Sequence, residues 1–134
     1  MLYFAYGSNL NHFQMKRRCK DSKFIKKINL KGYTLNFRSK YRAADIEKKN
    51  NSIVPGGLYE ISKSDEKKLD IYEDFPILYK KMYFKYYNNT VMTYIMPKKT
   101  IFRYPTERYL NVVKQGYKAV SYTHLRAHET INNL

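Results

Sequence analysis

The first apolar run, residues 1–6, mixes aromatic and aliphatic side chains and then breaks into Gly7-Ser8-Asn9, which predicts a short strand ending in a tight turn. The segment after it, 9–19, reads as a short helix or turn with Asn9 or Asn11 as its cap. Over 32–39, Tyr33, Leu35 and Phe37 recur at every second position, the period of a strand with one buried face. A polar stretch, 45–52, follows and reads as a connection. Residues 53–62 read as two strand halves joined at Pro55-Gly56-Gly57, where the glycines predict a bulge or a close backbone approach. Ser62 with Asp65 three residues on is a capping signature, so 62–73 is predicted to be a helix. Residues 79–87 and 90–97 predict a hairpin turning at Asn88-Asn89. A last helix is expected from Pro105 to just before Gly116, with proline at its start and glycine past its end. No repeat or low-complexity linker interrupts this order, so the chain is expected to be one α+β domain dominated by strands.

Composition narrows the classes. The 134 residues are 43% hydrophobic, with no run of about 20 apolar residues, so one core is expected and no membrane span. The N-terminus lacks the pattern of an export signal, and the single cysteine, Cys19, allows no intramolecular disulfide; a cytoplasmic protein is the expectation. The formal charge of +15 raises nucleic-acid binding as a possibility. The lysines are scattered, however, as on a solvated face, and the abundance of Lys, Asn, Ile and Tyr matches A/T-rich coding sequence. No specific nucleic-acid partner is expected.

Residues 120–130, "VSYTHLRAHET", resemble a translated sequencing-adapter read-through and continue no upstream pattern. The expected domain is therefore 1–119, with 120–134 a non-native tail and the natural C-terminus lost. His124 and His128 in that tail stand at i, i+4, a zinc-ligand spacing on a helix, but without them only His12 remains. Neither a metal nor a cofactor is expected.

Candidate chemistry centres on Glu73. On the helix beginning near Ser62, Leu69, Tyr72 and Glu73 stand at i, i+3 and i+4, which puts a carboxylate on the stripe that faces the core. Desolvation there would raise its pKa toward that of a general base. The bland alternative is a solvated residue at the end of a helix stopped by Pro76. The Gly7-Ser8-Asn9 turn likewise has two readings: a plain tight turn, or a place where backbone N–H groups converge on an anion, with Gly7 free to adopt positive φ.

Taken in order, "YFAYGSNLN" (3–11), "MKRRC" (15–19), "LKGYTLNF" (30–37), "VPGGLYEI" (54–61), "LDIYEDFP" (69–76) and "YLNVVKQGY" (109–117) resemble the γ-glutamylcyclotransferase-like proteins over almost the whole expected domain. The resemblance implies a small mixed β-barrel with flanking helices. Its cavity would hold a γ-glutamyl group between the loop Tyr6, Gly7, Ser8, Asn9 and Leu10 and an acid/base glutamate, here Glu73. Tyr79 would line the pocket. The chain departs from the family pattern at Asp74, where many members have Gly.

The activity implied is intramolecular: the α-amine of a γ-glutamyl compound attacks its own γ-carbonyl, closing 5-oxoproline and expelling an amine or amino acid. No enzyme nucleophile is required, only a folded substrate and a base that takes the ammonium proton and returns it to the leaving nitrogen. Two rivals stay open: a relative acting on γ-glutamyl amines or removing a γ-glutamyl protecting group, and a catalytically silent binding module or basic nucleic-acid binder. The leaving group and the oligomeric state are not specified by these residues.

Overall fold

The computed structural model describes residues 1–120. The expectation for the tail, including His124 and His128, lies outside the described residues. Five strands, β1 (Leu2–Ala5), β2 (Lys23–Arg38), β3 (Ala43–Glu60), β4 (Lys80–Tyr86) and β5 (Asn89–Ile95), form one sheet in the order β2-β3-β1-β5-β4. Among the described residues three α-helices, α1 (His12–Arg18), α2 (Lys63–Tyr72) and α3 (Glu107–Val120), pack around it, and a 3-10 turn, Ser8–Leu10, links β1 to α1. The sheet is mixed, since β1 pairs antiparallel with β3 and parallel with β5. It curls without closing its ladder: the edge strands meet only through side chains, with the Tyr33 hydroxyl 3.3 Å from the Met82 sulfur. "Barrel" therefore holds loosely, as a curled sheet.

Both faces of the sheet carry a core. The alternation of β1 sends Phe4 into one cluster with Leu10, Ile28, Leu35, Phe37, Val113 and Tyr117, and Tyr3 and Ala5 into another with Met15, Leu69, Met92 and Tyr94. β1 is thus the partition between two cores, and the chain leaving its C-terminal end emerges between them.

Three expectations need correction. β2 begins at Lys23 rather than 32, because Ile28 and Leu30 already face the core between exposed lysines. The stretch 45–52 is not a free connection: Asp45–Lys48 pair with Tyr33–Asn36, and only Lys49–Ser52 stand outside the ladder, opposite Gly32 at φ +82°. The pairing partner lies in another strand, so polar composition misreads this ladder as loop. Finally, Gly116 does not end the last helix but lies inside it. A Cβ there would stand 2.7 Å from the Asn11 nitrogen and 2.8 Å from the Leu10 carbonyl carbon, so glycine is required for contact with the 3-10 turn. Gly56 does make the close approach expected of it, a Cβ lying 2.5 Å from the Ala5 oxygen.

Candidate active site

The turn after β1 is held from both sides. Leu10 and Asn11 donate backbone hydrogen bonds to the Gly7 and Ser8 carbonyls at 3.1 and 3.0 Å, closing the 3-10 turn. Asn11, not Asn9, caps α1, its side-chain oxygen accepting from the Phe13 and Gln14 N–H groups. Gly7 has φ −111°, so positive φ is not what it supplies; a Cβ there would press to 3.1 Å from the Ala44 Cβ.

Asn9 is released from capping and points inward. Its Nδ2 donates to the Tyr3 hydroxyl at 2.9 Å and to Glu73 Oε1 at 3.3 Å, while its Oδ1 accepts from the Arg18 guanidinium. One buried amide therefore joins the turn, the tyrosine and the carboxylate.

Glu73 is brought there by the ending of α2. Asp65 and Leu69 are buried at i and i+4, and Glu73 is the next position on that stripe; Tyr72 is exposed and lies off it. The helix closes in a Schellman motif: Phe75 N–H donates to the Asp70 carbonyl at 2.9 Å and Asp74 N–H to the Ile71 carbonyl at 3.1 Å. Asp74 adopts φ +52°, the left-handed conformation that glycine takes without a Cβ penalty and aspartate tolerates. The departure from the family pattern at this position is thereby accommodated in the backbone, and the exposed Asp74 side chain stays out of the cavity.

The cavity itself, of about 30 Å³, is lined by Tyr6, Gly7, Ser8 and Asn9 from the turn, by Glu73 and Tyr79, and by Tyr3, Ala44, Tyr94 and Tyr109. The structure thus brings together every site residue named from the sequence except Leu10, which is fully buried in the core against Gly57. Tyr3, Tyr94, Tyr109 and Arg18 went unrecognised. Among 15 tyrosines none of the three carries a local signal of its own, and Arg18 looks like one more surface cation.

Each tyrosine is fixed by its hydroxyl. Tyr6 donates to the Tyr94 carbonyl and Tyr79 to the Ala44 carbonyl, both at 2.6 Å; Tyr109 accepts from the Ala44 N–H at 3.1 Å. Burial pushes the phenols of Tyr3, Tyr6 and Tyr79 well above their ordinary value and that of Tyr109 to about 12, so the wall stays neutral. Buried Asp45 anchors the Ala44 side, accepting from Met96 N–H at 2.8 Å and Lys99 Nζ at 2.9 Å and pairing with Arg38.

In this neutral, aromatic surrounding the Glu73 carboxyl is raised from 4.5 to about 7, chiefly by desolvation, against the opposing charge of Arg18 and the Asn9 hydrogen bond. A carboxyl raised that far toward neutral pH is suited to take up a proton and give it back there. Arg18 is stacked on the Tyr72 ring, its guanidinium carbon 3.3 Å from the ring centre, and it also donates to Ser8 Oγ at 3.2 Å. Cys19 is buried with its thiol pushed up to about 12, a packing residue rather than a nucleophile.

The sequence pattern of the family described as gamma-glutamyl cyclotransferase, AIG2-like, matches residues 3–118. The chain belongs to that family. A solved gamma-glutamyl cyclotransferase superposes on this cyclotransferase-like chain with a TM-score of 0.84 at 23% identity, covering 100% of this chain and 87% of its own. The human uncharacterized protein loc79017 gives 0.83 at 24% identity, covering 99% and 86%. YkqA from Bacillus subtilis gives 0.82 at 21% identity over 100% of this chain and 55% of its own. At these identities the likeness is one of fold. No curated protein matches the sequence of this family member. Among its described residues, no helix is long and apolar enough to cross a membrane.

Proposed function

We propose that this protein is a γ-glutamyl cyclotransferase, converting a γ-glutamyl compound to 5-oxoproline and a free amine or amino acid with Glu73 as acid and base. The observation that carries the reading is the meeting of Glu73 and the Gly7–Asn9 turn across one cavity, linked through Asn9.

The cavity is far smaller than the few hundred Å³ that ligand pockets usually occupy, so it receives the reacting amine and carbonyl while the rest of the compound extends through the mouth. The tyrosine wall holds the chain of the γ-glutamyl group bent, bringing the α-nitrogen against the γ-carbonyl carbon; such positioning supplies much of the rate in ring closures. Glu73 takes a proton from the α-ammonium, and the freed lone pair forms the new N–C bond. Main-chain N–H groups of Ser8 and Asn9, which precede the first bonded donor of the turn, receive the charge that grows on the carbonyl oxygen. The amide C–N bond then breaks as Glu73 returns that proton to the departing nitrogen, and the second proton, shed by the new ring nitrogen, passes over the same carboxylate to the freed amine, leaving the lactam N–H and an ammonium. Arg18 holds the Asn9 amide in the orientation that offers Nδ2 to the carboxylate.

The test is 5-oxoproline release from a panel of γ-glutamyl amino acids, γ-glutamyl amines and glutathione. Turnover of at least one is expected, with Glu73→Gln reducing it by about 10²-fold or more while the fold persists. Parental turnover by Glu73→Gln would remove the mechanism.

A further inference from the structure

A second, larger cleft of about 190 Å³ adjoins the cavity. Ser8 and Tyr109 line both, so the two spaces share a wall made of the turn and α3. Beyond that wall the cleft is bounded by Gln14 and Arg18 from α1, Tyr72 from α2, and Arg108 from α3. Two of these side chains are guanidinium groups. Among the described residues lining the cleft none is acidic.

The two arginines differ in how they are held. Arg18 is half-buried and locked by Ser8, Asn9 and the Tyr72 ring at the boundary between the spaces. Arg108 is exposed on the first turn of α3, next in sequence to Tyr109. A rigid cation and an exposed one thus line the same cleft, which favours negative charge.

We propose that this cleft is the leaving-group subsite and that it selects leaving groups carrying a carboxylate, with Arg108 as a specificity-determining residue. The inference rests on the cyclotransferase reading and deepens it. A substrate whose reacting amide sits by Glu73 is too long for the inner cavity, and the part beyond the scissile C–N bond extends past Ser8 and Tyr109. A leaving amino acid or peptide places its carboxylate there. A leaving group without that charge desolvates the same arginines and gives them nothing in return.

Matched substrates test this: γ-glutamyl-alanine and γ-glutamyl-alaninamide differ only in the charge of the leaving group. We expect kcat/KM for the acid to exceed that for the amide by about tenfold or more. Arg108→Ala is expected to bring the ratio close to one, Arg108→Lys to restore part of it, and added salt to shrink it in the parent protein. A parent ratio near one overturns the inference while leaving the reaction standing. So does an equal fall for both substrates in Arg108→Ala, which would put the γ-glutamyl end's own carboxylate in the cleft. Release of 5-oxoproline from neither substrate, from these or the wider panel, removes the reaction itself and the subsite with it.

Discussion

Replacing Glu73 by Gln should make the protein more stable at the same time as it removes activity, and the gain should depend on pH. The Glu73 carboxyl ionises at about 7 in the folded protein against 4.5 ordinarily. An acid whose pKa is raised by folding gives its full stability below the unfolded value, and that stability is lost as pH rises through the folded value. The difference amounts to about 3 kcal/mol once pH is well above 7. Glutamine keeps the acceptor for Asn9 Nδ2 and carries no charge to desolvate, so it escapes that loss. Little difference between parent and variant is therefore expected at about pH 4. By about pH 8 the variant should be the more stable by up to 3 kcal/mol, roughly 10 °C in melting midpoint for a domain of this size. Thermal melts of both proteins across that range provide the assay. A variant less stable than the parent at high pH, or a difference that does not grow between the two pH values, would show that Glu73 is not held in a desolvated cavity.

Three further outcomes follow from the geometry. The acid limb of kcat/KM should fall near pH 7, since the base acts only when ionised, and Arg18→Gln should move that limb upward by removing the cation that opposes desolvation; an unmoved limb in steady-state profiles would separate Arg18 from Glu73. Asp74→Gly should raise stability by about 0.5–1 kcal/mol in denaturant titrations and leave turnover intact, because glycine relieves the left-handed strain at φ +52° while the cavity loses nothing. Gly116→Ala should be destabilising by about 1–3 kcal/mol in spite of alanine's better helix propensity, as its Cβ would meet main chain of the 3-10 turn at 2.7 Å; a stabilised variant would contradict the packing described.

Much of the local structure was legible along the chain. The Ser62–Asp65 capping box, the end of β1 at a Gly-Ser-Asn turn and the β4–β5 hairpin all follow from short-range chemistry, in which the residues that decide a structure lie within a few positions of it. Glu73 could be singled out for the same reason, because four-residue spacing puts it on the stripe of Leu69 even though Tyr72 does not share it. The length of the β2–β3 ladder was not legible, since a strand with lysines on its outer face is held by hydrogen bonds to a partner across the ladder rather than by its own residues. Gly116 misled for a related reason: its meaning is a contact with Leu10 and Asn11, about a hundred residues away in the chain. The cavity wall belongs to the same class. Tyr3, Tyr94 and Tyr109 come from β1, β5 and α3, and only the parallel pairing of β1 with β5 and the docking of α3 on the turn bring them to line one cavity with Glu73. Sequence spacing determines which face of an element a side chain occupies; which faces then meet is decided by the two cores on either side of β1, and the chemistry of Glu73 depends on that meeting because desolvation requires walls from several elements at once.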